Sequence, residues 1–239
     1  MGYSDTQFSA DIDALTAQVK KDAQHAFQVL RDTHTTTAFG TVGFVVRVPG
    51  QEKLLVVNDP GPWRRGEEIT PALIGFDGTV LSGKSNGQPN RYTKLFQAHA
   101  DINIISHVHT PYVAAWAQAH RSFPITYVAF QRHHLLKEVP VYIDRRQPEV
   151  DFIIENVNKD PNNTAIVEAN GGGTVWGKGG VRELTDTIIL LEEAAQLQWL
   201  ALAVGGSRNY GAGVLKQNWK MTGIYEQGKA LGLLPTTDL

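Results

Sequence analysis

One segment constrains the fold more than any other: INIISHVHTP, residues 102–111. Residues two apart in a β-strand project from the same face, so a strand here aims His107 and His109 in one direction. On a helix the same two residues would diverge by about 200°. The apolar run from Ile102 to Ile105 favours the strand. Thr110 can then cap, and Pro111 can open, the helix PYVAAWAQAH. A buried strand thus delivers two imidazoles at its carboxyl end just before a helix, where open α/β sheets place their ligands.

The flanking pattern agrees with an α/β chain. Residues 10–32 carry apolar side chains at helical spacing (Ile12, Leu15, Val19, Ala23, Ala26, Phe27, Leu30), with Ser9 or Asp11 as cap. FGTVGFVVRV and KLLVVN, separated by Pro49–Gly50, read as a hairpin. Residues 69–80 suggest a short capped turn and a strand around Asp77–Gly78; a helix is expected over 89–99, strands near 125–130 and 139–143, and a helix over 148–157. Strand TAIVEA and a glycine run follow, then helices over 181–204 and 213–231. Intermixed strands and helices predict an α/β fold, one sheet with helices on both faces. No linker or repeat divides the chain, so residues 1–239 are expected to form one domain.

Composition narrows the chemistry. With no Cys there is no disulfide, thiolate metal site or catalytic thiol, and the eight histidines are the soft ligands on offer. Lys and Arg total 22 against 24 Asp and Glu, a formal charge of −2, which argues against nucleic acid as partner. The N-terminus lacks a signal-peptide pattern, and no apolar run reaches the roughly 18 residues of a membrane span. Gly2 opens a myristoylation-like string, but Gln7 stands where Ser or Thr is wanted. A cytoplasmic protein without membrane contact is expected.

A bidentate imidazole pair suits Zn²⁺, Fe²⁺, Mn²⁺ or Co²⁺. The plainer alternative is two surface histidines at a strand end, or one buried against a carbonyl. A metal needs a third ligand, and His133, His134 and Glu168 are the candidates; Glu168 would complete a two-His-one-carboxylate set. Adjacent His133 and His134 cannot both join on one strand face. His99 and His120 read as helix-end residues. The run GGGTVWGKGG (171–180) matches neither G-x-G-x-x-G nor the P-loop pattern, so a tight turn needing positive φ is expected rather than a nucleotide site.

FQAHADINIISHVHTPYVAAWA, IVEANGGGTVWGKG and the LLEEAAQLQ helix, in this order, make the chain resemble the class II aldolase/adducin family. The resemblance implies a three-layer α/β/α sandwich around a mainly antiparallel or mixed central sheet, a cyclic homotetramer, and a divalent metal (Zn, Fe or Mn) that polarises a carbonyl or enediolate oxygen of a small-molecule substrate. His107 and His109 carry over as ligands. The family's third histidine falls at Gly171, beside Asn170. Its acid/base carboxylate falls at Gln88, its phosphate-binding serines at Asn86 and Gly87, its Gly-Asn phosphate loop at Gly40–Thr41, and its second acidic position near Arg132 or His133.

The phosphate grip is therefore missing, and a phosphate dianion would lack its paired donors. The expected substrate is an unphosphorylated carbonyl compound or 2-oxo acid, cleaved at a C–C bond by a lyase or decarboxylase route. His133, Gln88 or Tyr225 would serve catalysis; Arg208 and Asn170, with Arg145 and Arg146 as further candidates for a carboxylate, would hold substrate. EANGGGTVWGKG and GGSRNYGAGVLKQNWKM are also similar to the aldolase-like non-haem iron oxygenases of aminocoumarin biosynthesis, which implies oxidative decarboxylation of an aromatic 2-oxo acid as the alternative. A non-catalytic adducin-like scaffold is the third.

Overall fold

The computed structural model describes residues 11–236, so Ser9 and the Gly2–Gln7 string lie outside the described residues. Helix α1 (Ile12–Asp32) starts where Asp11 Oδ1 accepts the Ala14 N–H at 3.0 Å. It buries the predicted stripe Val19, Ala23, Ala26, Phe27 and Leu30. The hairpin β1 (Val42–Arg47) and β2 (Lys53–Asn58) turns at Gly50, φ 68°. Strands β3 (Ala72–Gly75) and β4 (Val80–Ser82) extend it. The capped turn expected within 69–80 is present, but it falls at Asp77–Gly78, where the strand is expected, with β3 and β4 on either side: Asp77 Oδ1 accepts the Thr79 N–H and Gly78 takes φ 92°.

Helix α2 (Thr93–Ala98), strand β5 (Ile104–Val108) and helix α3 (Pro111–Gln118) come next. A two-stranded sheet of β6 (Phe123–Pro124) and β7 (Glu138–Val139) encloses α4 (Val128–His133). The strand expected near 125–130 is therefore displaced to Phe123–Pro124, and the second half of that run, from Val128, is helix. A short apolar run does not fix its own period, and here the helix drives Phe130 into the core. The chain continues through β8 (Val141–Tyr142), α5 (Glu149–Lys159), β9 (Ala165–Glu168), β10 (Gly173–Gly177) and α6 (Val181–Ala201). The last predicted helix is two, α7 (Ala212–Thr222) and α8 (Tyr225–Ala230), broken at Gly223 with φ 80°.

The eight-stranded sheet runs β4-β3-β2-β1-β5-β10-β9-β8, antiparallel except for the β8–β9 pair. Period-two alternation sends residues to two cores. Phe44, Ile104, Val108, Val167 and Val175 pack with α1, α3 and α6. Val45, Ile105, Ile166 and Trp176 pack with α2 and α5 on the other face. The result is the expected α/β/α sandwich. Val181–Val204 is long and apolar enough to cross a membrane by length and composition alone, but in this fold its inward side packs against α1 and α3.

Candidate metal centre

His107 shares its side of β5 with Ile105, so it faces the α2/α5 layer. His109 lies one residue beyond the strand. Its N–H donates to the Thr41 carbonyl at 2.9 Å and its carbonyl accepts from the Thr37 N–H at 3.0 Å. The strand period thereby brings the two imidazoles together, with their Nε2 atoms 3.1 Å apart and ring planes crossed at 72°. Burial, reinforced by the Arg91 charge, pushes the His107 pKa down to about 4. A neutral imidazole is the form that ligates metal.

Glu168, at the end of β9, places Oε2 3.6 Å from His107 Nε2. Its Oε1 is engaged by Arg145, whose other nitrogen donates to the Ala169 carbonyl at 2.8 Å. Two nitrogens bound to one Zn²⁺ at about 2.0–2.1 Å stand about 3.3 Å apart in a tetrahedron. The observed 3.1 Å separation fits that edge, and a two-nitrogen, one-carboxylate set suits a divalent ion. Only His107 of the pair is within ion-pair range of Glu168, and among the described residues no three such side chains already form a closed cluster. To hold an ion together with both imidazoles, the carboxylate would have to turn inward. His133 and His134 do not join it. They line a separate cavity of about 530 Å³ with Ile102 and Ile104, at the opposite end of β5 from His107.

The expected tight turn is present, with the Gly171 N–H donating to the Glu168 carbonyl at 2.8 Å and the Glu168 N–H to the Gly172 carbonyl at 2.9 Å, but the glycines do not supply its positive φ. Positive φ falls on Asn170 (57°), not on Gly171, Gly172 or Gly173. The glycines permit close approach instead. A Cβ on Gly171 would stand 2.8 Å from Glu168 Oε2, and one on Gly172 2.2 Å from the Val108 carbonyl oxygen and 2.6 Å from His109 Cδ2. Side chains at either position would push Glu168 or His109 out of place.

Thr110 also departs from expectation: its side chain does not cap α3. It donates to Glu192 Oε2 at 2.6 Å, and the same carboxylate accepts the N–H groups of Tyr112 (2.7 Å) and Val113 (2.9 Å). A buried acid from the middle of α6 thus caps α3 just after the His pair.

The sequence reading missed the side chains behind and beside His107. Thr174 is its direct neighbour on β10, with Oγ1 3.0 Å from His107 Nδ1. That hydroxyl is 2.5 Å from Oε1 of Glu149, the first residue of α5. Tyr92 O–H reaches the same oxygen at 3.5 Å, and Arg91 lies 3.5 Å from Oε2. Burial raises both the Glu149 carboxyl and the Tyr92 phenol, so the phenol stays protonated. In the sequence Glu149 reads as an ordinary helix-start acid and Thr174 as a strand residue; only the register joins them. In front of His107 opens a cavity of about 520 Å³, lined by Thr41, Asn58, Asn90, Arg91 and Tyr92 among others. Gly43, the neighbour of His107 on β1, leaves room there for Asn58 to cross it.

The remaining candidates stand elsewhere within one chain. Gln88 is exposed on the loop before α2 and is absent from the cavity wall. Tyr225 packs against the small core of Leu135, Leu215 and Trp219. Arg208 lines a cleft with Lys137 and Glu138. Asn170 is tied to the end of α3, with Oδ1 2.6 Å from His120 Nε2 and Nδ2 donating to Gln118 at 3.1 Å. Arg146 pairs with Asp144 on the surface.

Residues 23–199 match the model of the class II aldolase and adducin N-terminal domain. L-ribulose-5-phosphate 4-epimerase UlaF of Salmonella paratyphi B is 22% identical over 183 residues, 71% of this chain and 79% of the relative. L-fuculose 1-phosphate aldolase from Glaciozyma antarctica superposes with a TM-score of 0.67 at 19% identity, covering 94% of this chain and 91% of that one. YgbL from Escherichia coli, a putative aldolase/epimerase/decarboxylase, gives 0.60 at 19% identity, covering 86% and 99%.

Proposed function

The chain belongs to the class II aldolase and adducin family, and on that premise we propose that it is a metal-dependent enzyme of lyase or decarboxylase type. Its substrate is an unphosphorylated carbonyl compound or 2-oxo acid. The observation that carries this reading is the 3.1 Å approach of His107 and His109 Nε2, with Glu168 Oε2 3.6 Å from the first. A divalent ion held by these three residues would act as a Lewis acid on the substrate carbonyl.

The chain's own groups supply the rest. Arg91, its side chain about half exposed at the cavity wall, is placed to pair with a substrate carboxylate. Asn58, Asn90 and Thr41 offer neutral hydrogen bonds for hydroxyl or carbonyl oxygens. One guanidinium with amide and hydroxyl partners suits a carboxylate monoanion better than a phosphate dianion. Tyr92 is the proton donor within one chain, and its buried phenol holds the proton at neutral pH. Gln88, Tyr225 and His133 could serve the centre only if a neighbouring copy brought them to it, as in a homotetramer. A cytoplasmic location accords with this reading.

Elemental analysis of purified protein, repeated on His107→Ala, Glu168→Gln and His133→Ala, tests the centre. Metal should be lost in the first, weakened in the second and retained in the third; unchanged metal in His107→Ala overturns the proposal. A second reading is favoured by Glu168 itself, because two histidines and a carboxylate also make the facial set of non-haem iron oxygenases. Oxygen uptake with Fe²⁺ and an aromatic 2-oxo acid would select it, and turnover without oxygen would exclude it. Folded protein that takes up no metal on reconstitution would leave the adducin-like scaffold.

A further inference from the structure

We propose that Glu149, acting through Thr174, is a positioning residue that keeps the His107 proton on Nδ1 and so presents the Nε2 lone pair to the metal. The inference rests on the metal-centre reading above for its purpose, but the proton's place is a property of the protein alone.

Hydrogen-bond direction carries it. Three groups reach the buried Glu149 carboxylate as donors: the Thr174 hydroxyl at 2.5 Å, the Tyr92 phenol at 3.5 Å and the Arg91 guanidinium at 3.5 Å. Arginine has no acceptor, so with the Arg91 guanidinium beside Oε2 the geometry assigns the Glu149 carboxylate the accepting role, these donors opposing the burial that disfavours its charge. The single Thr174 proton then points at Glu149 Oε1, and the Thr174 oxygen has only lone pairs left for His107. At 3.0 Å the His107 Nδ1 must be the donor. Neutral imidazole carries one proton, so Nε2 is bare on the side that faces His109 and Glu168.

Thr174 can do this because it is wholly buried and lies directly opposite His107 in the β5–β10 register. No competing water reaches the relay at that point. Imidazole ligands that donate their second nitrogen to a carboxylate are fixed in ring orientation and made more basic. Here a hydroxyl stands between ring and carboxylate. Arg91 joins the cavity wall to the same anion, so the device spans from the substrate side to the ligand.

The test uses the full-length chain and two measurements. Nitrogen-15 NMR of the metal-free protein should find the His107 proton on Nδ1 in the wild type, and lose that preference in Thr174→Val. Zn²⁺ affinity, read by competition with a chromophoric chelator, should weaken by about 10–100-fold in Thr174→Val and Glu149→Gln. It should recover in Thr174→Ser, which restores the hydroxyl; a purely structural role for the threonine would not give that pattern. Wild-type Zn²⁺ affinity in both weakened variants, or a wild-type His107 protonated on Nε2, overturns the proposal. Should the wild type bind no Zn²⁺, the metal reading fails, while the NMR result still decides where the relay holds the proton.

Discussion

Gly172 lies against His109 so closely that a methyl group on it would come within 2.6 Å of ring carbon Cδ2, with the Val108 carbonyl oxygen 2.2 Å away on β5. The backbone contact cannot yield without moving the sheet. Gly172→Ala should therefore destabilise the fold by about 1–3 kcal/mol and displace the His109 ring. Denaturant unfolding together with Zn²⁺ uptake checks this. A variant with normal stability and normal uptake would show that the close approach is dispensable.

Glu192 gathers three donors into a buried carboxylate: the Thr110 hydroxyl and the N–H groups of Tyr112 and Val113. Glu192→Ala strands all three at the start of α3, at a cost on the order of 3 kcal/mol or more. Glu192→Gln keeps the shape but replaces one acceptor oxygen with a donor, and should lose less. Thermal unfolding should rank wild type, Gln and Ala in that order; equal melting temperatures for wild type and Ala would deny the capping role.

Arg145 neutralises Glu168 from one side while His107 stands on the other. Removing the guanidinium leaves a more negative, freer carboxylate beside the imidazole pair. Arg145→Ala should tighten divalent-ion binding by a factor of a few through the lost charge repulsion. Isothermal titration with Mn²⁺ reads the change. The double variant Arg145→Ala with Glu168→Gln should show no gain, and a gain there would place the effect outside Glu168.

His134 is half-buried with its ring 4.5 Å from that of Phe130. Burial, aided by the His133 charge, pushes its pKa down to about 4. The unfolded chain, with histidine near 6.5, binds the proton first. Stability held by neutral His134 is complete above about pH 6.5 and is lost as pH falls towards about 4. His107, depressed in the same direction, adds to the slope. Urea unfolding between about pH 7 and pH 4 should show falling stability, less steeply in His134→Gln, at about 1.4 kcal/mol for each pKa unit. A slope unaffected by that substitution would remove His134 from the acid transition.

Much of this molecule was legible along the chain, because the relevant order is local. Helical spacing marked α1, Pro49–Gly50 marked the first hairpin, and the two-residue period of β5 put His107 and His109 on one side. Where a local pattern was short or ambiguous it misled. The strand near 125–130 ended at Pro124 and its second half entered α4, and the turn expected within 69–80 fell on Asp77–Gly78 itself.

What the chain could not disclose is which distant groups meet. Thr174 lies 67 residues after His107, Glu149 lies 25 before Thr174, and Glu192 lies 82 after Thr110. Each of those meetings depends on strand register or on how a helix is laid over the sheet. The same cause left the glycine run open to a turn reading. Its small size answers to His109, Glu168 and the β5 backbone, which only the closed sheet brings beside it. Sequence periodicity determined that two imidazoles point one way; tertiary packing decided which carboxylate stands beside them, which hydroxyl stands behind them, and that His133 and His134 lie at the far end of the strand.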